Sequence, residues 1–127
     1  NGIVKRFVMG KRRARIASEL LGTKGVRLYH DQALYKEPFG GITPWNADQY
    51  YWPLQTDKTI TAWIPLQKTP LEMGSVAFAA KSHKISLGRN LPIIDKSENK
   101  LQKVLKKQKF NHVIEPFEVG DVSFHYG

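Results

Sequence analysis

The chain has 127 residues, enough for one domain with a hydrophobic core and short of two; 41% hydrophobic and 24% charged side chains exclude a disordered or fibrous class. It has no cysteine, which removes a disulfide framework, a thiolate metal site and a cysteine nucleophile. Twenty Lys and Arg against eleven Asp and Glu give a net charge of +9, which admits anionic partners, while no apolar run reaches the roughly 18 residues of a membrane span. With no signal-peptide pattern, the expectation is a cytoplasmic protein without a membrane partner. Because the chain opens on Asn1 and stops at Gly127 inside a strand-like run, it reads as a single domain incomplete at both ends.

Residues 5–21 place Lys5, Arg6, Lys11, Arg12, Arg13 and Arg15 ahead of Ile16, Ala17, Leu20 and Leu21, with Gly22 following. That spacing predicts an amphipathic helix with a glycine C-cap, and the basic run is its solvated face rather than a nucleic-acid stripe. Residues 26–35 alternate, with Val26, Leu28, His30, Gln32 and Leu34 against Arg27, Tyr29, Asp31, Ala33 and Tyr35, which predicts a strand. Pro38, Gly40 and Gly41 break it.

The stretch of residues 43–54 then packs Trp45, Tyr50, Tyr51 and Trp52 around Asp48, a density that suits a pocket wall better than a solvated loop. A strand is expected over residues 59–67, with Thr59, Thr61, Trp63 and Pro65 facing away from Ile60, Ala62, Ile64 and Leu66. A turn at residues 69–74 leads into a strand over residues 75–80. Ser97 is the expected N-cap of an inserted helix near residues 98–109, with Leu101, Val104 and Leu105 inward and Lys100, Lys103, Lys106, Lys107 and Lys109 in water. Two more strands, residues 113–119 and 121–126, flank the Gly120-Asp121 turn, and Pro116 pushes the first toward a sheet edge. Short strands at this spacing point to a mainly β sandwich or barrel.

Chemistry is spelled sparsely. None of His30, His83, His112 and His125 stands in a His-x-Asp or His-x-Glu pair that would put two ligands on one strand face. Asn46-Ala47-Asp48 comes nearest, with two oxygen-bearing side chains on one face. No phosphate-binding glycine loop or serine nucleophile elbow occurs. The residues alone describe an aromatic pocket holding Asp48, with Lys36 in reach, suited to an anionic ligand.

The residues 26–36, Val-Arg-Leu-Tyr-His-Asp-Gln-Ala-Leu-Tyr-Lys, lead into Thr43-Pro44-Trp45-Asn46-Ala47-Asp48 and on to Trp63-Ile64-Pro65-Leu66. Glu72-Met73-Gly74-Ser75, then Ser82-His83 with Lys81 where a glycine is expected, and finally residues 120–127, Gly-Asp-Val-Ser-Phe-His-Tyr-Gly, complete a pattern. In order and spacing, over about half the chain, it resembles the phytanoyl-CoA dioxygenase family of iron(II)- and 2-oxoglutarate-dependent oxygenases. The resemblance implies a double-stranded β-helix, a jelly-roll barrel with the metal at its mouth. It also implies an Fe(II) site with 2-oxoglutarate as cosubstrate, and hydroxylation of a small organic substrate.

The family binds iron through a His-x-Asp pair and a distal histidine. Carried over, Asp48 is a metal ligand, while Asn46 takes the histidine position and should weaken the metal, since an amide oxygen is a poor substitute for imidazole. Lys36 and Trp63 match positions that attend the 2-oxoglutarate. The resemblance places the distal histidine and the clamping arginine past Gly127, and makes His125 an earlier histidine of the same strand rather than the ligand. His83 is a loop histidine. A second reading keeps the fold without the catalysis: a jelly-roll protein binding a small anionic or lipid-like ligand.

Overall fold

The computed structural model describes residues 1–85, 91–92 and 94–127, and these form two compact units, Asn1–Gly41 and Ile42–Gly127. In the first unit the expected single helix is two: α1, Gly2–Val8, and α2, Lys11–Leu21. Gly10 is the break. A glycine inside a helix costs about 1 kcal/mol relative to alanine, and here it serves as the extended N-cap whose carbonyl accepts from the Ala14 N–H. Asn1 caps α1 by accepting from the Ile3 N–H at 2.9 Å.

At the other end of α2, Gly22 adopts the left-handed conformation (φ 62°) expected of a C-cap, and the Thr23 N–H closes back onto the Ser18 carbonyl. Ala17 and Leu21 form the buried stripe of α2. The basic side chains stay at the surface, apart from Arg13, whose guanidinium covers the Phe7 ring at 4.6 Å.

The strand expected over residues 26–35 does not form. All of these residues except Val26 are exposed, and among the described residues they join no ladder. Alternation is necessary for a half-buried strand, but the backbone needs a neighbour to bond to. The break expected after it is a turn in which Gly40 N–H donates to Glu37 carbonyl at 3.0 Å, with Phe39 at φ 60°.

Among the described residues the second unit holds four strands in two antiparallel pairs. β1, Ile60–Trp63, pairs with β4, Ser123–Tyr126, so that Thr61 lies opposite His125 and Trp63 opposite Ser123. β2, Ala77–Ala79, pairs with β3, His112–Ile114. The strands are shorter than the alternation suggests; the expected strand over residues 113–119 stops at Ile114, before Pro116, and resumes only as a bridge between Thr69 and Phe117.

An aromatic contact links the two sheets, and a second ties β1 to the Thr69–Phe117 bridge. Phe78 of β2 stands 5.2 Å from the His125 ring, and buried Phe117 lies 4.8 Å from Trp63. The architecture is therefore a small helical unit and a unit of two small antiparallel sheets, and the described residues close no barrel.

α3, Asp95–Gln108, is the expected inserted helix with an earlier start. Ile94 is its N-cap, and Ser97 lies buried within the first turn instead of capping it. Leu101 is buried, while Lys100, Lys103, Lys106, Lys107 and Lys109 are exposed as their spacing requires. No helix among the described residues is long and apolar enough to cross a membrane.

Candidate functional site

Thr61 and Trp63 of β1 share one face with Ser123 and His125 of β4, since directly paired residues project to the same side. Phe78 covers that face, which makes it the inner one. Asp48 reaches it from a short 3-10 turn, Asp48–Tyr51. The Thr61 hydroxyl donates to Asp48 Oδ2 at 2.7 Å, and His125 Nε2 stands 3.3 Å from the same oxygen. Asn46 donates through Nδ2 to the other oxygen, Oδ1, at 3.3 Å.

Burial is the largest single influence on Asp48 and pushes its carboxyl up. The hydrogen bonds from His125 and Thr61, the charge of a protonated His125 and the Asn46 amide together outweigh it and hold the group below the usual carboxylate range.

The turn is held in place from three sides. Gln49 accepts from the Thr59 hydroxyl at 2.8 Å and donates to the Thr56 carbonyl at 3.3 Å. The Trp45 backbone N–H donates to Glu98 of α3, and the Trp45 ring meets His112 edge-on at 5.3 Å. Gly127, buried, donates to the Thr59 carbonyl at 3.3 Å, and any Cβ there would run into the Thr59 hydroxyl and the Trp52 ring. Trp45 and Trp52 are half-buried, whereas Tyr50 and Tyr51 are exposed and meet each other edge-on at 4.8 Å.

The sequence-expected site residues thus divide. Asp48 and Asn46 come together, and Trp63 lies two residues along β1 from Thr61 on the same face. Lys36 belongs to the first unit, where it is exposed ahead of the Glu37–Gly40 turn. His83 is exposed in a 3-10 turn and stacks on Tyr126 at 5.4 Å. Thr61, Gln49 and Glu98 were not singled out by sequence. Thr61 was the most accessible of them, because the alternation already sets it beside Trp63 on the polar face.

A carboxylate, an amide and an imidazole are donors of the kind a divalent first-row metal accepts. They fit such an ion in kind and fall short in number. No three His, Asp or Glu side chains among the described residues are grouped to hold a metal. Asp48 offers Oδ1, and Asn46 would have to turn its amide to present oxygen, since its NH₂ now faces the carboxylate.

A family model described as phytanoyl-CoA dioxygenase (PhyH) matches residues 3–127. No curated protein and no solved structure matches the chain. The chain belongs to the phytanoyl-CoA dioxygenase family.

Proposed function

From membership of that family we propose that the chain is part of an iron(II)- and 2-oxoglutarate-dependent oxygenase that hydroxylates a small organic substrate. The observation that carries the reading is the convergence of Thr61, His125 and Asn46 on Asp48 at the inner face of the β1–β4 sheet. The family match over residues 3–127 supplies the reaction class. The jelly-roll fold belongs to the same proposal, and two small antiparallel sheets linked by the Phe78–His125 contact are consistent with parts of one.

In this reading Asp48 and Asn46 hold the iron. Bound there, iron with 2-oxoglutarate would supply O₂ activation. Trp63 walls the cosubstrate pocket. Phe78 lies against the His125 ring on the face that carries Asp48.

The second reading, a non-catalytic protein binding a small anionic or lipid-like ligand, is favoured by Asn46. Its amide satisfies Asp48 Oδ1 without any cation. Anaerobic iron(II) titration and succinate formation from 2-oxoglutarate in the full-length protein separate the two. The oxygenase reading expects succinate, with a gain in Asn46→His. Absence of succinate at saturating iron in both proteins selects the binding protein.

A further inference from the structure

We propose that α1 docks on an anionic bilayer surface, laying its apolar face among the lipid headgroups while the basic side chains of α1 and α2 meet the lipid charge. In α1 the apolar residues recur as Ile3, Val4, Phe7 and Val8, the spacing that gathers them along one side of a helix, with Lys5 and Arg6 on the other. A helix of a globular domain buries such a stripe, yet α1 buries none of its residues. Ile3 is 69% exposed, Val4 46%, Phe7 40%, and Met9, just past the helix, 58%. A shallow cleft against Leu28 and Asp31 takes up Val8, and Ile3 and Phe7 stay outside it.

Charge decides what covers this face. Residues 1–18 carry Lys5, Arg6, Lys11, Arg12, Arg13 and Arg15 and no Asp or Glu. The first acid in the chain, Glu19, pairs with Arg15 at 2.8 Å. A second copy of the chain would answer the apolar side chains and set like charges against each other. A nucleic-acid backbone would answer the cations and leave the apolar side chains in water. Anionic headgroups above acyl chains answer both, and being fluid they need no preformed groove. Arg13 and Phe7 already have the required layout, with the guanidinium 4.6 Å over the ring: an apolar body beside a cation free to donate to a headgroup phosphate. A membrane partner departs from the expectation drawn from sequence, because that expectation concerned crossing. A helix lying in the headgroup plane needs one apolar face with basic flanks and no spanning run.

Co-sedimentation of the full-length protein with vesicles of phosphatidylcholine and phosphatidylserine in a two-to-one ratio is the test, with pure phosphatidylcholine as the comparison. Binding to the mixed vesicles is expected, weaker by roughly tenfold or more on the neutral ones. It should also fall as salt rises from about 0.1 M, where the screening length is about 10 Å, toward about 1 M. Lys5→Gln and Arg6→Gln should each weaken it about fivefold. Ile3→Ser and Met9→Ser should each weaken it about tenfold by removing apolar area that the bilayer takes from water, and Ile3→Leu should not. These side chains are exposed, so the fold should persist, which cooperative thermal melts check.

No binding to the mixed vesicles overturns the proposal, and so does equal binding to the neutral ones. Binding that Lys5→Gln and Arg6→Gln weaken while Ile3→Ser and Met9→Ser leave it at the parent's level overturns it as well. That last pattern marks a charge-only surface, of the kind a nucleic-acid backbone takes.

Discussion

Lys81 sits at φ 70°, ψ 6°, a left-handed conformation, just before the Ser82–Lys84 turn and exposed to solvent. An L-residue pays about 1–2 kcal/mol there because its Cβ crowds the backbone, and glycine pays nothing. Lys81→Gly therefore removes that strain. Glycine's greater freedom in the unfolded chain takes back about 0.5–1 kcal/mol, and loss of an exposed charge changes stability by at most about 0.5 kcal/mol. The net expectation is a gain of about 0.5–1 kcal/mol, or roughly 2–5 °C in melting temperature for a domain of this size. Thermal and urea melts of the full-length protein measure it. Lys81→Ala is the control, since alanine keeps the Cβ and should gain nothing. An unchanged or lower stability for Lys81→Gly, or an equal gain for Lys81→Ala, refutes the reasoning. A glycine is also what the family's Gly-Ser-His pattern has at this position, so the chain keeps the glycine conformation without the glycine.

Three further outcomes follow from the site. Glu98→Ala strips the acceptor from the half-buried Trp45 N–H and should cost about 1–3 kcal/mol in urea unfolding, with Glu98→Gln recovering part of it. Gly127→Ala forces a Cβ against Thr59 and Trp52 and should cost about 1–3 kcal/mol by the same measurement. Asp48 is held below its ordinary value, so between its folded and unfolded values (about 3.9 for the latter) the unfolded state binds more protons and stability rises with pH. Its contribution is complete above the unfolded value and is lost as pH falls through the folded one. Urea midpoints taken from pH 5.5 downward should therefore decline more steeply in the parent than in Asp48→Asn, and parallel curves would show that Asp48 is not held low.

Local signals were legible where local physics decides. The Gly22 cap, the Gly120-Asp121 turn and the lysine face of α3 follow from φ preference and helical period, and each appears in the structure. Gly10 was missed as a helix break because apolar periodicity runs through it. Residues 26–35 carry the alternation of a strand, yet among the described residues they join no ladder, which no single-chain pattern reveals. At the site, Asp48 and Asn46 were found through a three-residue motif. Thr61 and His125 depend on the register of two strands far apart in sequence, and Glu98 on where a helix lands. Those are facts of tertiary placement.

Glu98 also gives the stretch of residues 43–54 an unusual dependence on the rest of its unit. The hydrogen bonds that fix this stretch come from partners 7, 10, 13, 53 and 77 residues away along the chain. Closing such long loops is paid for in chain entropy before any contact rewards it. Asp48 therefore meets His125 only once β4 has docked on β1. Native-state hydrogen exchange should show Trp45 and the amides of β1 and β4 gaining and losing protection together, as one cooperative unit. A lesion that frees β4 would then take His125 from Asp48 and the Gly127 N–H from the Thr59 carbonyl together.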